Sequence, residues 1–306
     1  RFGLMPDEKV DDKLRFSHLN RPTPYSRAPW MCLVDFGTPS PIMDKVMIQM
    51  SRWLSRHLDD PELVLWLAKQ GGHLRARFVD IIRFRIEELD KLEANKDVAR
   101  IAQIRAGAPN AIPRPAMRAL WRVLLAGRVS SRVDRMGLYD WFERFGRDGA
   151  TTSLRMELRE MLAPQVVLRK PVRWGNEQPK AESDKRVRDL VDWELILATG
   201  HVHSAIQQWA HENAKWQRDL PELLDDFTML LRDAMDLSRE LDGAEDAHDL
   251  SYMHQPSIED HEQNHYFQDW PVLIKLARDA WQETAKADTA RALHVAMDWW
   301  RLPYPV

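Results

Sequence analysis

Apolar residues recur at intervals of three and four along most of this chain, the period of helices that bury one face. The clearest run spans residues 219–241. Leu220, Leu223, Leu224, Phe227, Leu230, Leu231, Ala234, Leu237 and Leu241 share one side there, and Gly243 stands past the end. Ser40-Pro41 and Asp60-Pro61 each set a capping side chain before a proline at the first helical position, which predicts two helix starts. The first helix carries Met43, Val46, Met47, Met50, Trp53 and Leu54 on one face; Gly71-Gly72 ends the second. Further helices are expected over 73–94, 97–106, from Pro115 onward, 138–145, 152–162 and 202–210. Most are about three turns long, so each needs a neighbour to be stable.

Two segments break the period. Val166, Val167, Leu168 and Val172 read as a strand or extended connection, and 190–197 fits a buried strand or a helix start equally. Residues 7–16 suggest a short helix and 31–36 a short strand, within a proline-punctuated opening of forty residues. Near the end, Asp269-Trp270-Pro271 opens a helix with Leu273, Leu276, Ala277, Ala280 and Trp281 on one face. Asp288 then caps a second helix expected to bury Leu293, Ala296, Met297 and Trp300 before Pro303 stops it. So tight a turn predicts an antiparallel helical hairpin over 269–303. The fold class that follows is mostly all-α, built of irregular, solenoid-like hairpins with at most one or two short strands. A helical domain over 1–174, a polar Gly/Pro/Ser-containing linker over 175–185 and a C-terminal helical domain over 186–306 complete the expected organisation.

Composition narrows the class. With 44% apolar and 30% charged residues, the chain is globular in type and not disordered. Thirteen Trp against twelve Gly favours broad helix contacts over tight β-turns. The net charge of −3 hides an asymmetry: over 71–136, 14 Lys/Arg face 7 Asp/Glu, whereas over 218–262 only 3 face 14. Arginines between Arg75 and Arg135 suggest a nucleic-acid surface, but they alternate with acids, as a solvated, salt-bridged face does. The single cysteine, Cys32, excludes an intramolecular disulfide framework and makes the cytoplasm the default compartment. No apolar run reaches the length of a membrane span. Both ends, Arg1 and Val306, read as cuts through a longer polypeptide.

One string looks chemical. In His261-Glu262-Gln263-Asn264-His265, two imidazoles one helical turn apart would bind zinc with Glu262 as general base, Glu283 being the nearest third ligand. The flanks give the segment no buried face, and Pro271 starts a different helix shortly after. A capped turn begun by Ser257 is the simpler reading, leaving no catalytic, cofactor or metal residue assigned in this region. His201 and His203, two apart, suit one side of a strand but not of a helix. His248 and His254 could join the later pair in an adventitious metal site. Gly37-Thr38-Pro39-Ser40 is read as a cap in preference to an anion cradle. Phosphate loops, serine elbows and cysteine-nucleophile signatures are absent from the sequence.

Several strings resemble a helical region of unknown function in large bacterial proteins: Asp35-Phe36-Gly37-Thr38-Pro39-Ser40, Ala108-Pro109-Asn110-Ala111-Ile112-Pro113, Leu190-Val191-Asp192-Trp193-Glu194, Ser257-Ile258 with His261 and Gln263-Asn264, Asp269-Trp270, and Trp299-Trp300-Arg301-Leu302-Pro303-Tyr304-Pro305. In the proteins it resembles, this region follows a sirtuin-type module that consumes NAD in anti-phage defence. The resemblance implies a non-catalytic scaffold or sensor that binds a protein, either a phage protein or its own N-terminal module. NAD would belong to a part of the parent outside this sequence, since the sirtuin module's glycines and catalytic histidine have no counterpart here. Trp270, Trp299, Trp300 and Tyr304 are the expected contact residues. A zinc hydrolase and a nucleic-acid binder stand as the alternatives.

Overall fold

The computed structural model describes residues 41–72, 76–130, 137–171, 186–212, 214–242 and 270–300. Among the described residues it is mostly helical with two short strands, as the apolar spacing predicts. The chain divides into two compact units, Arg1–Gly127 and Arg128–Val306.

The first unit holds α1 (Pro41–Leu54), α2 (Pro61–Lys69), α3 (Ala76–Ala94), α4 (Val98–Gly107), a 3-10 turn (Pro109–Ala111) and α5 (Pro115–Leu125). Asp60 caps α2 by accepting from the Glu62 amide at 3.0 Å, and Asp97 caps α4 by accepting from the Arg100 amide at 3.0 Å. The core gathers Leu54, Leu58, Leu63, Leu67, Phe78, Ile82, Leu89, Met117, Leu120 and Trp121, all essentially inaccessible. Its polar groups are satisfied: the Trp121 indole donates to the Leu58 carbonyl at 2.7 Å. Buried Arg118 donates to the Pro113 carbonyl at 2.9 Å, to Asp90 at 2.7 Å and to Glu93, tying α5 to α3. Arg114 grips Asp59 through its side chain at 2.7 Å and its own amide at 2.8 Å. Within the basic stretch 71–136, Arg85, Arg114, Arg118 and Arg122 are engaged in such pairs.

The second unit runs α6 (Gly137–Asp148), α7 (Thr152–Met161), β1 (Pro164–Arg169), a single turn α8 (Val187–Leu190), β2 (Asp192–Leu197), α9 (Val202–Glu212), α10 (Ala214–Asp242), α11 (Val272–Ala287) and α12 (Thr289–Trp300). β1 and β2 pair antiparallel with Val166 opposite Leu195 and Leu168 opposite Trp193. Residues 128–130 bridge the other edge of β1: the Val166 amide donates to the Arg128 carbonyl at 2.7 Å, and the Ser130 amide to the Val166 carbonyl at 2.9 Å. Within segment 190–197, Leu190 ends α8 and residues 192–197 form the strand, with Trp193, Leu195, Ile196 and Leu197 buried. The expected linker, 175–185, lies outside the described residues. The strands on either side of it pair with each other, and both lie in the unit Arg128–Val306.

α10 is longer than its leucine pattern indicates. It starts at Ala214 and continues through Pro221, although a proline removes one helical hydrogen bond. Burial of Trp216 and Leu220 extends the packed face back past that break. Around Trp216 an aromatic cluster forms: Phe142 and Phe145 of α6 meet it edge-on at 5.6 Å each, and Trp209 of α9 stacks on Phe142 at 4.8 Å. Asp226, on α10 and almost wholly buried, accepts from Arg155 at 2.7 Å and lies 3.2 Å from Arg159, both on α7. The short helix and strand expected over 7–16 and 31–36 fall outside the described residues.

Candidate functional site

The C-terminal hairpin is docked on α10 by the apolar face of α11, with Val272, Leu273, Ile274, Leu276, Ala277 and Ala280 buried. Thr284 is buried too; its hydroxyl is satisfied by donating to the Ala280 carbonyl at 2.8 Å. At Asp288 the chain turns back. That carboxylate accepts from the Arg291 amide at 2.9 Å and caps α12. Trp281 of α11 donates to the Ala292 carbonyl at 2.8 Å, and its ring lies 6.5 Å from that of Trp299. Trp299 donates to the Thr228 hydroxyl at 3.2 Å, and Arg291 pairs with Asp225 at 2.9 Å, so α12 also holds to α10.

These contacts use the narrow side of α12. Ala292 and Val295 face inward, whereas Leu293 is 62% exposed, Met297 53% and Trp300 91%. The expectation that Leu293, Met297 and Trp300 are buried is overturned, and Ala296 is only half-buried. Small residues permit close approach of α12 to its support, while the large ones at positions i, i+4 and i+7 form an outward stripe. His294 Nε2 stands 3.7 Å from Asp298 Oδ2 along one flank of that stripe.

A second feature is a cleft of about 230 Å³ between α9, α10 and α11. Trp216 and Leu276 form part of its floor, and His203, Lys275, Asp279 and Glu283 line its rim. Glu283, the expected third zinc ligand, pairs with Lys286 at 2.6 Å, and Asp279 pairs with Arg278 at 2.9 Å. Both carboxylates thus carry a neighbouring cation.

Neither a family model, nor a curated protein, nor a solved structure matches this chain.

The expected site residues separate as follows. Trp270 is buried, at the entry to α11, and is not part of an exposed contact surface. Trp299 is half-buried with its indole engaged, and Trp300 is fully presented. Tyr304, His261, Glu262 and His265 lie outside the described residues, as do His248 and His254. His203 sits on α9 at the cleft, while His201 precedes that helix with a left-handed φ of 56°. The two therefore lie on a turn and a helix and not on one side of a strand. Among the described residues no group of three His, Cys, Asp or Glu is placed to hold a metal ion, and no helix is long and apolar enough to cross a membrane. Sequence reasoning missed the outward stripe of α12 as a continuous feature. The signal was present in Ala292 and Val295, two small residues offset from Leu293 and Met297, which offer a second face to pack.

Proposed function

We propose that this chain is a non-catalytic helical scaffold or sensor that works by protein–protein recognition within a larger bacterial protein. In that protein a sirtuin-type module would consume NAD in anti-phage defence. The observation that carries the recognition part is the outer face of α12, where Leu293, Met297 and Trp300 stand in water on a helix already held from behind. Large exposed aromatics and methionines are costly to leave solvated, and they are the side chains enriched where proteins meet. The defence context is supported by the resemblance of strings such as 108–113 and 299–305 to the helical region that follows such modules. The partner would be a phage protein or the parent's own N-terminal module.

Phage plating tests this reading, on bacteria carrying the gene with its native flanking sequence. Leu293→Glu is expected to abolish protection at unchanged protein level, and full protection by that variant would overturn the assignment of the surface. The non-catalytic part is tested on the purified chain. It is expected to leave NAD intact; release of nicotinamide would refute it. Stoichiometric zinc by elemental analysis, lost in His261→Ala, would move the function to a hydrolase built on His261, Glu262 and His265.

A further inference from the structure

The cleft between α9, α10 and α11 presents two chemistries at two depths. Trp216, Leu220, Val272 and Leu276 line it and are buried, giving an apolar floor. Polar side chains surround the mouth. Two of them are carboxylates, and each already carries a cation: Arg278 lies 2.9 Å from Asp279, and Lys286 lies 2.6 Å from Glu283. His203 has an interaction of its own. Lys275 differs. It lines the cleft and is half-buried, and among the described residues it has neither an ion-pair partner nor a hydrogen-bond partner. The same holds for the carboxamides of Gln207, Gln217 and Gln282 around it. With the two acids compensated, the charge left over the apolar floor is the Lys275 ammonium. An ammonium beside apolar surface gains more from a counter-anion than one in open water, because the local screening is weaker.

From this arrangement we propose that the cleft binds a small aromatic monocarboxylate. The ligand's carboxylate accepts from the Lys275 ammonium at the rim, and its ring covers Trp216 and Leu276 on the floor. An apolar lining with a few convergent polar groups is the pattern of small-molecule sites. The volume of about 230 Å³ equals roughly eight waters at ~30 Å³ each, which is room for one ring and a short acidic tail. A dianion such as a phosphate ester suits the cleft less, since one ammonium faces it while Asp279 and Glu283 share the rim. A ligand of about ten heavy atoms with one charge-assisted hydrogen bond has Kd on the order of 0.1–1 mM. Because three helices supply the lining, an occupied cleft ties α11 more firmly to α9 and α10. The proposal does not depend on how the outer face of α12 is read.

Phenylacetate is the probe, with phenylacetamide as its uncharged counterpart of the same shape. Titration into the purified chain is followed by ligand-observed NMR and by hydrogen exchange. Phenylacetate should bind saturably and slow exchange at the amides of α9, α10 and α11, leaving those of the first unit unchanged. Phenylacetamide should bind at least about tenfold more weakly. Lys275→Met keeps an apolar stem and should lose about tenfold in affinity, whereas Lys275→Arg restores the charge and should stay within about threefold of wild type. Gln217→Glu alters an exposed side chain at the rim, so it should weaken phenylacetate by charge alone, with circular dichroism unchanged. That variant decides the matter if Lys275→Met does not fold. Absence of saturation up to about 10 mM, equal binding of phenylacetamide, or full affinity in Lys275→Met or Gln217→Glu would each overturn the proposal. Leu293→Glu should bind phenylacetate as wild type does, so failure of the cleft and failure of recognition through α12 are read separately.

Discussion

Asp226→Asn removes one charge from the interior of the second unit without changing side-chain volume. In the native chain the Asp226 side chain is 4% exposed, accepts from Arg155 at 2.7 Å and lies 3.2 Å from Arg159. Arg155 is correspondingly held more basic than a free guanidinium, chiefly by its hydrogen bond to Asp226. Breaking a fully buried pair by removing one partner costs about 3–5 kcal/mol, because the survivor is stranded. Here the survivors are only partly stranded: the two guanidinium side chains are 32% and 36% exposed and can turn toward water, although Arg159 Nε itself is buried and makes no hydrogen bond. The expected loss is therefore about 2 kcal/mol, mainly the charge-assisted hydrogen bonds and the desolvated amide left on α10. Urea titration followed by hydrogen exchange at the amides of α7 and α10 reads the second unit separately, which matters because two units need not unfold together. A change below about 0.5 kcal/mol in those amides would refute the reasoning, since it is the size expected of an ordinary surface substitution.

The same logic sets three further outcomes. Arg118→Met should destabilise α3 and α5 by about 1–2 kcal/mol, read by exchange in the first unit, because the Pro113 carbonyl loses its donor while Asp90 and Glu93 are free to re-solvate. Glu157 is held below the ordinary carboxylate value of 4.5, first by its hydrogen bond from Arg144, whose two contacts measure 2.5 and 3.1 Å. A depressed folded value gives stability that is complete above 4.5 and lost as pH falls through the folded value. Wild type should thus exceed Glu157→Gln in urea midpoint at neutral pH, and the two should converge as pH falls through the depressed folded value. Trp281→Phe removes the donor to the Ala292 carbonyl and should lower the stability of the hairpin by about 1 kcal/mol, whereas Trp300→Ser should stay within about 0.5 kcal/mol of wild type in the same melt.

Helix starts were the most legible part of this chain because their chemistry is local. Asp60-Pro61 needs no tertiary information to end an extended segment and begin a helix, and Asp60 does accept from the second helical amide. The long leucine stripe of α10 was readable for the same reason. Features decided by packing were not. Segment 192–197 alternates only from Asp192 to Leu195, and the consecutive burial of Leu195, Ile196 and Leu197 blurs the strand signal. The start of α10 at Ala214 depends on Trp216 meeting α6, a contact across more than seventy residues of chain. Apolar spacing in α12 identified a helix correctly but assigned its large residues to the interior. Periodicity gives a face without saying which of two apolar faces meets the protein, and Ala292 and Val295 won because small residues allow α11 to approach.

On the proposed reading α12 has two tasks: its inner side holds the hairpin, and its outer side would read a partner for a catalytic module elsewhere in a larger protein. Trp300→Ser in the gene with its native flanking sequence, with NAD consumption assayed in cells with and without phage infection as the trigger, tests this most directly. Basal consumption equal to wild type with stimulation by the trigger lost is the predicted result. Undiminished stimulation would contradict the claim.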